Sequence, residues 1–296
     1  MIIAAKPTDR QIKRLELQAP FEDLHLAYVD WGAADSEKVA LCVHGLTRNS
    51  RDFDSLASHL VSLEYRVIAV DVVGRGNSAW LSDPVQYMVP TYAAQLIQFV
   101  QLLEIGSLVW IGTSMGGIVG MILAAGGETF INRLVLNDVG PFVPAAALQD
   151  IQAYVGTAPR FETLEELEQH LRHIHAPFGA LTDDQWRHLA THSSRETKDG
   201  WVLSYDPAIR IPFAEASGED VDIWEVWEGI GCPVLVVHGE ESRLLSREVC
   251  DRMQATGPRA SVVHLPGIGH APALTSRDQH AAISDWLEVR DVRAAK

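Results

Sequence analysis

The residues with the clearest chemical potential are Ser114 and the glycines on either side of it, in the pattern Gly112-x-Ser114-x-Gly116. An apolar run, residues 108–111, precedes the pattern, and a run of small and apolar residues, 118–125, follows it. That order predicts a strand, a sharp turn and a helix, with the serine hydroxyl exposed at the turn. Glycines avoid the collisions that a Cβ would make there, and the start of the helix presents unpaired N–H groups where an oxyanion would form. The sequence therefore predicts a nucleophilic serine.

A serine nucleophile needs a general base, and His270 is the candidate. It lies in the segment 266–272, which is rich in glycine and proline and follows the last predicted strand, 261–265. Such a loop can carry the imidazole back over the edge of a sheet. The chain has twelve histidines, and His270 is set apart by its position, its flanking residues and its order after Ser114. We predict that His270 takes the proton from Ser114.

A second group of candidates follows the predicted strand 39–43, where the chain continues through His44, Gly45 and Leu46. Sites of this kind take one oxyanion donor from such a loop and the other from the residue after the nucleophile. We predict that the main-chain N–H groups of Leu46 and Met115 hold the oxyanion, and that His44 and Gly45 contribute to substrate binding. The alternative is that His44 and Gly45 form only a turn at the end of the strand.

Arg48 follows this loop, and its guanidinium could pair with a carboxylate of the substrate. The alternative is structural, because Asn49 and Ser50 come next and are typical of helix caps. A carboxylate-binding arginine would favour an acidic substrate, whereas a capping segment carries no information about the substrate. The sequence leaves both interpretations open.

Five histidines between residues 170 and 192 raise the question of a metal site: His170, His173, His175, His188 and His192. Spacings of three and four place pairs of them on one helix face, as metal sites often require. No carboxylates stand among them in a known ligand pattern, so we interpret them as residues of solvated helix faces. The sequence predicts no metal and no organic cofactor.

Taken together, the motifs resemble those of the alpha/beta-hydrolase family over nearly the whole chain. The segments that carry the resemblance are Gly112-x-Ser114-x-Gly116, Gly269-His270, His44-Gly45 and Asp71-x-x-Gly74-Arg75-Gly76-x-Ser78. Small bacterial esterases and ring-fission hydrolases with a helical lid are the most similar members. The resemblance implies a mostly parallel sheet flanked by helices, and it implies Ser114 and His270 as members of a catalytic triad.

The acid of the triad is where the chain departs from the common family pattern. Many members carry an Asp shortly after the strand predicted here at 234–237, where this chain has Ser242 or Arg243. Asp138 follows the preceding strand, a position that some members use, while Glu241 lies in the usual loop. We favour Asp138 and keep Glu241 as the alternative. Either carboxylate could orient the imidazole, and Asp138 could instead be a turn residue.

Composition limits the class of protein and its partners. The 296 residues are 47% hydrophobic and can bury a large core, and a net charge of −15 argues against binding to nucleic acid or an anionic membrane. Cys42, Cys232 and Cys250 are too widely spaced for a disulfide framework or a cysteine zinc site. The first 14 residues lack the apolar core of a signal peptide, and no segment approaches the ~20 apolar residues of a membrane span. We expect a cytoplasmic enzyme with a small-molecule ester substrate. The sequence leaves the oligomeric state open, and a homodimer is one possibility.

Short apolar runs alternate with amphipathic ones, which predicts βα units around a mostly parallel sheet. The predicted strands are 12–17, 24–28, 39–43, 66–70, 108–111, 133–136, 234–237 and 261–265, and predicted helices of this part are 52–63, 92–103 and 279–286. Between about residues 142 and 222, helix-like segments follow one another with no strand between them, and Thr163 and Thr182 are typical helix starts. The sequence thus predicts a core of residues 1–141 and 223–296, with a helical lid of residues 142–222 inserted over the carboxyl edge of the sheet.

The function predicted from these features is hydrolysis of carboxylic esters of small to medium size through an acyl-enzyme on Ser114. One alternative is hydrolysis of a C–C bond in a dicarbonyl product of ring fission, which would use an arginine such as Arg48 to bind a substrate carboxylate. Another is a receptor-like protein of the same fold that binds a ligand and turns over little. An epoxide hydrolase or dehalogenase is disfavoured, because those relatives place Asp where Ser114 stands.

Overall fold

The computed structural model describes residues 12–21, 23–216 and 218–289. The prediction that the chain has no signal peptide concerns its first 14 residues, and most of these lie outside the described residues. The strands are β1 Lys13–Glu16, β2 His25–Trp31, β3 Val39–Val43, β4 Arg66–Val70, β5 Leu108–Thr113, β6 Ile131–Asn137, β7 Phe142–Val143, β8 Arg160–Phe161, β9 Ser194–Thr197, β10 Gly200–Leu203, β11 Val221–Asp222, β12 Val234–Gly239 and β13 Ser261–Leu265. The α-helices are α1 Asp54–Val61, α2 Val89–Leu102, α3 Met115–Ala125, α4 Ala145–Gln152, α5 Leu164–Ile174, α6 Asp183–His192, α7 Arg210–Ala216, α8 Trp224–Glu228, α9 Arg247–Ala255 and α10 Arg277–Glu288.

Within the described residues, eight strands form one sheet in the order β1-β2-β4-β3-β5-β6-β12-β13. The pairs β1–β2 and β2–β4 are antiparallel, and the pairs from β4 through β13 are parallel. The central parallel strands are continuous apolar runs because both of their faces are covered. The predicted mostly parallel sheet flanked by helices is therefore correct. Its parallel strands end at one common edge, where side chains from distant parts of the sequence meet.

The core lies in two layers, one on each face of this sheet. Alternate residues of β3 serve the two layers: Leu41 contributes to one and Cys42 to the other, and both are fully buried. Helices α2, α3, α8 and α9 pack on the first face, and α1 and α10 pack on the second. Because both faces are packed, the strand ends are held firmly in place. That rigidity is what a site built at the carboxyl edge requires.

The inserted segment, residues 142–222, contains strands as well as helices, and the prediction of a purely helical segment was wrong. Strands β7 and β11 pair antiparallel at the two ends of this insert. Strands β8, β10 and β9 form a separate small sheet, in which β9 and β10 are joined by a two-residue turn before Gly200, at φ +107°. Strands of two to four residues leave almost no periodicity to detect, although Asp199-Gly200 is a hairpin signal.

Main-chain hydrogen bonds fasten the insert over the carboxyl edge of the sheet. The N–H of Gly269, beside His270, donates to the carbonyl of Pro177 at 2.8 Å, and Gly76 N–H donates to the carbonyl of Ser204 at 2.8 Å. The insert therefore rests on the loops that follow β4 and β13, and we keep the interpretation of it as a lid. In the part of the chain that the structure describes, no helix is both long enough and apolar enough to cross a membrane.

Candidate active site

Ser114 lies at the sharp turn that the sequence predicts, between the end of β5 and the start of α3. Its backbone has φ 50° and ψ −114°, a conformation that few non-glycine residues adopt. A Cβ on Gly112 would collide with the carbonyl oxygen of Gly116, and one on Gly116 would collide with the carbonyl oxygen of Val43. Both glycines are thus required for the chain to turn this closely. The turn presents the Ser114 hydroxyl at the carboxyl edge of the sheet.

Three side chains from three loops meet in a chain of hydrogen bonds at this edge. Ser114 Oγ lies 3.0 Å from Nε2 of His270, and Nδ1 of His270 lies 2.8 Å from Oδ2 of Asp138. With Nδ1 protonated, His270 donates to Asp138 and its Nε2 is left to accept the hydroxyl hydrogen. The His270 side chain is 20% exposed and the Asp138 side chain is fully buried. This order of groups is the one that activates a serine for attack on a carbonyl.

Asp138 follows β6 with φ +57°, a left-handed conformation that aspartate tolerates better than most residues. Besides His270, its carboxylate accepts the N–H of Gly239 at 2.8 Å and the hydroxyl of Ser242 at 2.6 Å. A buried carboxylate is costly unless its oxygens are hydrogen-bonded, and these donors meet that need. The same donors fix the carboxylate in the orientation that faces His270.

Glu241, the alternative acid, lies in the loop after β12 with an exposed side chain. Its main-chain N–H donates to the carbonyl of Ile268 at 2.9 Å, which tethers this loop to the one that carries His270. The structure therefore places Asp138, rather than Glu241, against the imidazole. Ser242 supports Asp138 from the loop in which many relatives carry their acid. The sequence analysis noted Ser242 only as a missing aspartate, because its partner is 104 residues away.

Removal of the Ser242 hydroxyl is expected to lower kcat by about tenfold to a hundredfold, since a hydrogen bond to a charged group contributes about 1.5–3 kcal/mol. The measurement is kcat for Ser242→Ala on a p-nitrophenyl ester, with the thermal unfolding midpoint as a second readout. Ser242→Thr keeps the hydroxyl and is expected to retain most of the activity. A Ser242→Ala enzyme with the wild-type kcat would show that Asp138 needs no support from this residue.

The predicted oxyanion donors lie beside the nucleophile. Leu46, Ser114 and Met115 all line one apolar pocket of about 200 Å³. Met115 is the first residue of α3, so its N–H has no acceptor within the helix. Gly45 is close to the nucleophile too, because a Cβ added to it would lie 3.7 Å from the Ser114 Cβ. The assignment of Leu46 and Met115 as the two donors stays a prediction.

Arg75 is a residue of this site that the sequence analysis quoted only as part of a motif. It is fully buried, and its Nε and Nη1 donate to the carbonyl oxygens of Leu46 and Val73, each at 2.8 Å. Its guanidinium lies 4.7 Å from the ring centroid of Tyr92, and Nη2 lies 3.6 Å from Sδ of Met115. Arg75 therefore fastens the loop of Leu46 to the start of α3 and places a positive charge next to both predicted donors.

The prediction that His44 contributes to substrate binding is not supported for its side chain, which is fully buried. Its Nδ1 donates to the carbonyl of Gly45 at 2.7 Å, and its Nε2 accepts the N–H of Val72 at 2.9 Å. Burial, with the nearby charges of Arg75 and Arg48, lowers the pKa of His44 to about 3, so the imidazole stays neutral. His44 connects the loops after β3 and β4 instead of contacting a substrate.

The prediction that Arg48 pairs with a substrate carboxylate also meets a structural obstacle. Its Nε and Nη2 already bind the two carboxylate oxygens of Asp52, at 2.9 and 2.7 Å, and the residue is 5% exposed. Its Nη1 lies 3.4 Å from Nε2 of the buried His175. Burial first, and the charge of Arg48 second, hold the pKa of His175 well below its usual value. The positive charge of Arg48 is thus satisfied within the protein.

A wider cleft lies beside His270 and shares Ile151 and Leu244 with the apolar pocket. Its volume is about 630 Å³, and His270, Glu241, Arg243 and His173 are among its lining residues. Arg243 is ion-paired there with Asp150 at 2.7 Å, and both side chains are more than half exposed. The site therefore has two unlike compartments, an apolar pocket at Ser114 and a wider cleft at His270 that also has charged lining residues.

Comparisons with known proteins agree with this geometry. Residues 39–276 match the model of the alpha/beta hydrolase fold family. The chain belongs to this family. The match covers the elements that carry Ser114, Asp138 and His270.

Individual relatives of this hydrolase are similar over most of their lengths. A 3-hydroxybutyrate-oligomer hydrolase of Cupriavidus necator is 42% identical over 86% of the chain and 90% of the relative. A 2-(acetamidomethylene)succinate hydrolase of Mesorhizobium japonicum is 27% identical over 79% of the chain and 82% of the relative. The solved structure of an alpha/beta hydrolase from Novosphingobium aromaticivorans has a TM-score of 0.84 and 32% identity, and it covers 94% of this chain and 98% of that one.

Proposed function

We propose that this hydrolase is a serine esterase that cleaves carboxylic esters through an acyl-enzyme on Ser114. The observation that carries the proposal is the hydrogen-bonded series from Ser114 Oγ to His270 Nε2 at 3.0 Å and from His270 Nδ1 to Asp138 at 2.8 Å. A neutral imidazole in this position can accept the hydroxyl proton, and a buried carboxylate stabilises the imidazolium that results.

The first half of the reaction forms the acyl-enzyme. His270 takes the Ser114 proton as Oγ attacks the ester carbonyl, and the main-chain N–H groups of Leu46 and Met115 stabilise the negative oxygen of the tetrahedral intermediate. His270 then gives the proton to the departing alkoxide, and the alcohol leaves. In the second half, His270 removes a proton from water, which attacks the acyl carbonyl and releases the carboxylic acid together with free Ser114.

Each of the two compartments would bind a different part of the substrate. The leaving alcohol must stand on the side of His270, which protonates it, and this is the side of the cleft of about 630 Å³. The acyl group then enters the apolar pocket of about 200 Å³ that Ser114 lines. A short acyl chain joined to a longer and more polar alcohol portion fits this arrangement. Oligomers of a hydroxy acid have that shape, and the 42% identical relative is a 3-hydroxybutyrate-oligomer hydrolase.

We therefore expect linear dimers and trimers of 3-hydroxybutyrate to be substrates. The measurement is kcat/KM by titration of released acid, with p-nitrophenyl butyrate as a reference ester and Ser114→Ala as the control for serine-dependent hydrolysis. We expect the trimer to exceed the dimer, because its longer alcohol portion fills more of the wide cleft. If the protein hydrolysed the p-nitrophenyl ester but neither oligomer, the proposal of an oligoester substrate would be rejected. The proposal of a serine esterase would still stand.

C–C bond hydrolysis of a ring-fission product is the weaker candidate. That chemistry needs a group to bind the substrate carboxylate, and Arg48 is held by both oxygens of Asp52. Arg243, in the wide cleft, is paired with Asp150. A ring-fission dienoate tested beside the esters is expected to show no turnover. Measurable turnover of an ester would exclude a receptor-like role.

A further inference from the structure

We infer that the structure contains a divalent transition-metal site, unrelated to ester hydrolysis, formed by His188, His192 and Asp54. His188 and His192 lie one turn apart on α6 of the insert, and Asp54 begins α1 of the core. One ligand atom from each of the three residues lies within 4.8 Å of the other two. Two imidazoles and a carboxylate are ligands that suit Zn²⁺, and small rotations of the side chains would bring them to bonding distance.

The sequence analysis set these histidines aside because no carboxylate stood among them. The carboxylate comes instead from an element more than 130 positions earlier in the chain, which sequence spacing does not show. Nε2 of His188 lies 3.6 Å from Oδ2 of Asp54. It also donates to the main-chain carbonyl of Arg51 at 3.1 Å, a hydrogen bond that a metal ion bound through this nitrogen would replace. The rings of His188 and His192 contact each other with centroids 4.5 Å apart. The ligand set therefore spans the boundary between the insert and the core.

The guanidinium of Arg51 is a cation that already contacts two of the three residues, Asp54 and His192. Its Nε and Nη2 bind the Asp54 carboxylate at 3.0 and 2.6 Å, and its Nη1 lies 3.4 Å from Nδ1 of His192. Because a guanidinium can only donate, His192 Nδ1 is the accepting nitrogen, and its lone pair points into the cluster. Asp54 and His192 thus already face a positive charge, and a metal ion bound between them would displace the guanidinium of Arg51.

The cluster is also accessible. A cavity of about 360 Å³ reaches it from solvent, and Arg51, Asp54 and His188 are among the residues that line it. Asp184 lines the same cavity and adds negative charge along the approach, whereas Asp52, which also lines it, is paired with Arg48. Released from Asp54, the Arg51 side chain can turn into this space.

Metal bound here would tie α6 to α1 and so fix the insert on the core. The neighbouring hydrogen bond from Asn49 Nδ2 to the carbonyl of His192, at 3.0 Å, already holds the end of α6 in this place. The metal would strengthen an existing contact, and its expected effect is on stability. Zinc at about 100 times its dissociation constant is expected to raise the unfolding midpoint by roughly 3–6 °C.

The test is titration of the purified full-length protein with zinc chloride, by calorimetry and by thermal unfolding. We expect one zinc ion per chain, and we expect His188→Ala and His192→Ala each to weaken binding by at least about a hundredfold, more than the loss of a residue that only supports a ligand. His170→Ala is the matched control, because it removes an imidazole from α5 of the same insert. It is expected to bind zinc as the wild type does.

The Arg51→Gln variant provides a second test, in which the affinity for zinc is expected to rise instead of fall. It removes the positive charge that competes with the metal for the Asp54 carboxylate, so zinc binding is expected to tighten by about tenfold. The inference is overturned if the wild-type chain shows no saturable zinc binding. It is equally overturned if His188→Ala and His192→Ala keep wild-type affinity, or if Arg51→Gln weakens binding. Since none of these readouts is catalytic, their failure would leave the proposed esterase untouched.

Discussion

Replacement of Ser114 by alanine is expected to lower kcat for ester hydrolysis on the order of 10⁴-fold or more. The proposed mechanism requires Oγ to form the covalent intermediate, and the residual rate would come from binding and oxyanion stabilisation alone. The measurement is kcat on a p-nitrophenyl ester and on a 3-hydroxybutyrate dimer, with protein concentration verified by absorbance.

The fold of the Ser114→Ala variant is expected to be unchanged, because alanine keeps the Cβ and the turn depends on Gly112 and Gly116. Far-ultraviolet circular dichroism and the unfolding midpoint provide the control. Retention of more than a few per cent of the wild-type kcat by a folded Ser114→Ala protein would mean that another residue is the nucleophile.

The second large effect is expected at Asp138. Asp138→Asn should lower kcat by roughly 10³–10⁴-fold, because an amide can donate to Nδ1 and so favour the tautomer in which Nε2 cannot accept the serine proton. The steric change is small, so KM and the unfolding midpoint are expected to move far less than kcat. The assay is the same ester hydrolysis, with the wild type and the variant measured side by side.

Glu241→Gln is the matched control for Asp138→Asn. It makes the same chemical change in the other candidate acid, whose exposed side chain lies in the wide cleft beside His270. Its kcat is expected to fall by less than about tenfold, because the substitution would change the surroundings of the triad and not the triad itself. If the Glu241 variant lost activity and the Asp138 variant kept it, the assignment of the acid would have to be reversed.

Much of the fold follows from the sequence because its strands are strong local patterns. The strands predicted at 39–43, 66–70 and 261–265 have these limits in the structure. The first two are buried, and buried parallel strands are continuous apolar runs between polar turns. Helix α9, Arg247–Ala255, was not predicted. It is mostly polar, with Cys250 and Met253 as its buried residues, so few apolar residues mark it as a helix that packs on the core.

The candidate site was harder to predict from the sequence wherever the role of a residue depends on contacts between distant segments of the chain. The turn at Ser114 is a local pattern, and sequence was enough to propose it. The acid could only be narrowed to two residues, because the choice depends on how the loops after β6 and β12 meet. His44 and Arg48 were treated as candidates because burial and the partner Asp52 cannot be read from spacing. Ser242 and Arg75 were missed for the same reason.

The most direct test of the account is the position of a covalent label. The wild-type enzyme is inactivated with an alkyl fluorophosphonate, digested, and mapped by mass spectrometry, while residual esterase activity is followed in parallel. The account predicts one phosphonyl group per chain, on Ser114, with labelling and loss of activity in the same proportion and no labelling of the Ser114→Ala protein. Complete inactivation with the label on any other residue, or full activity in a chain labelled at Ser114, would contradict it.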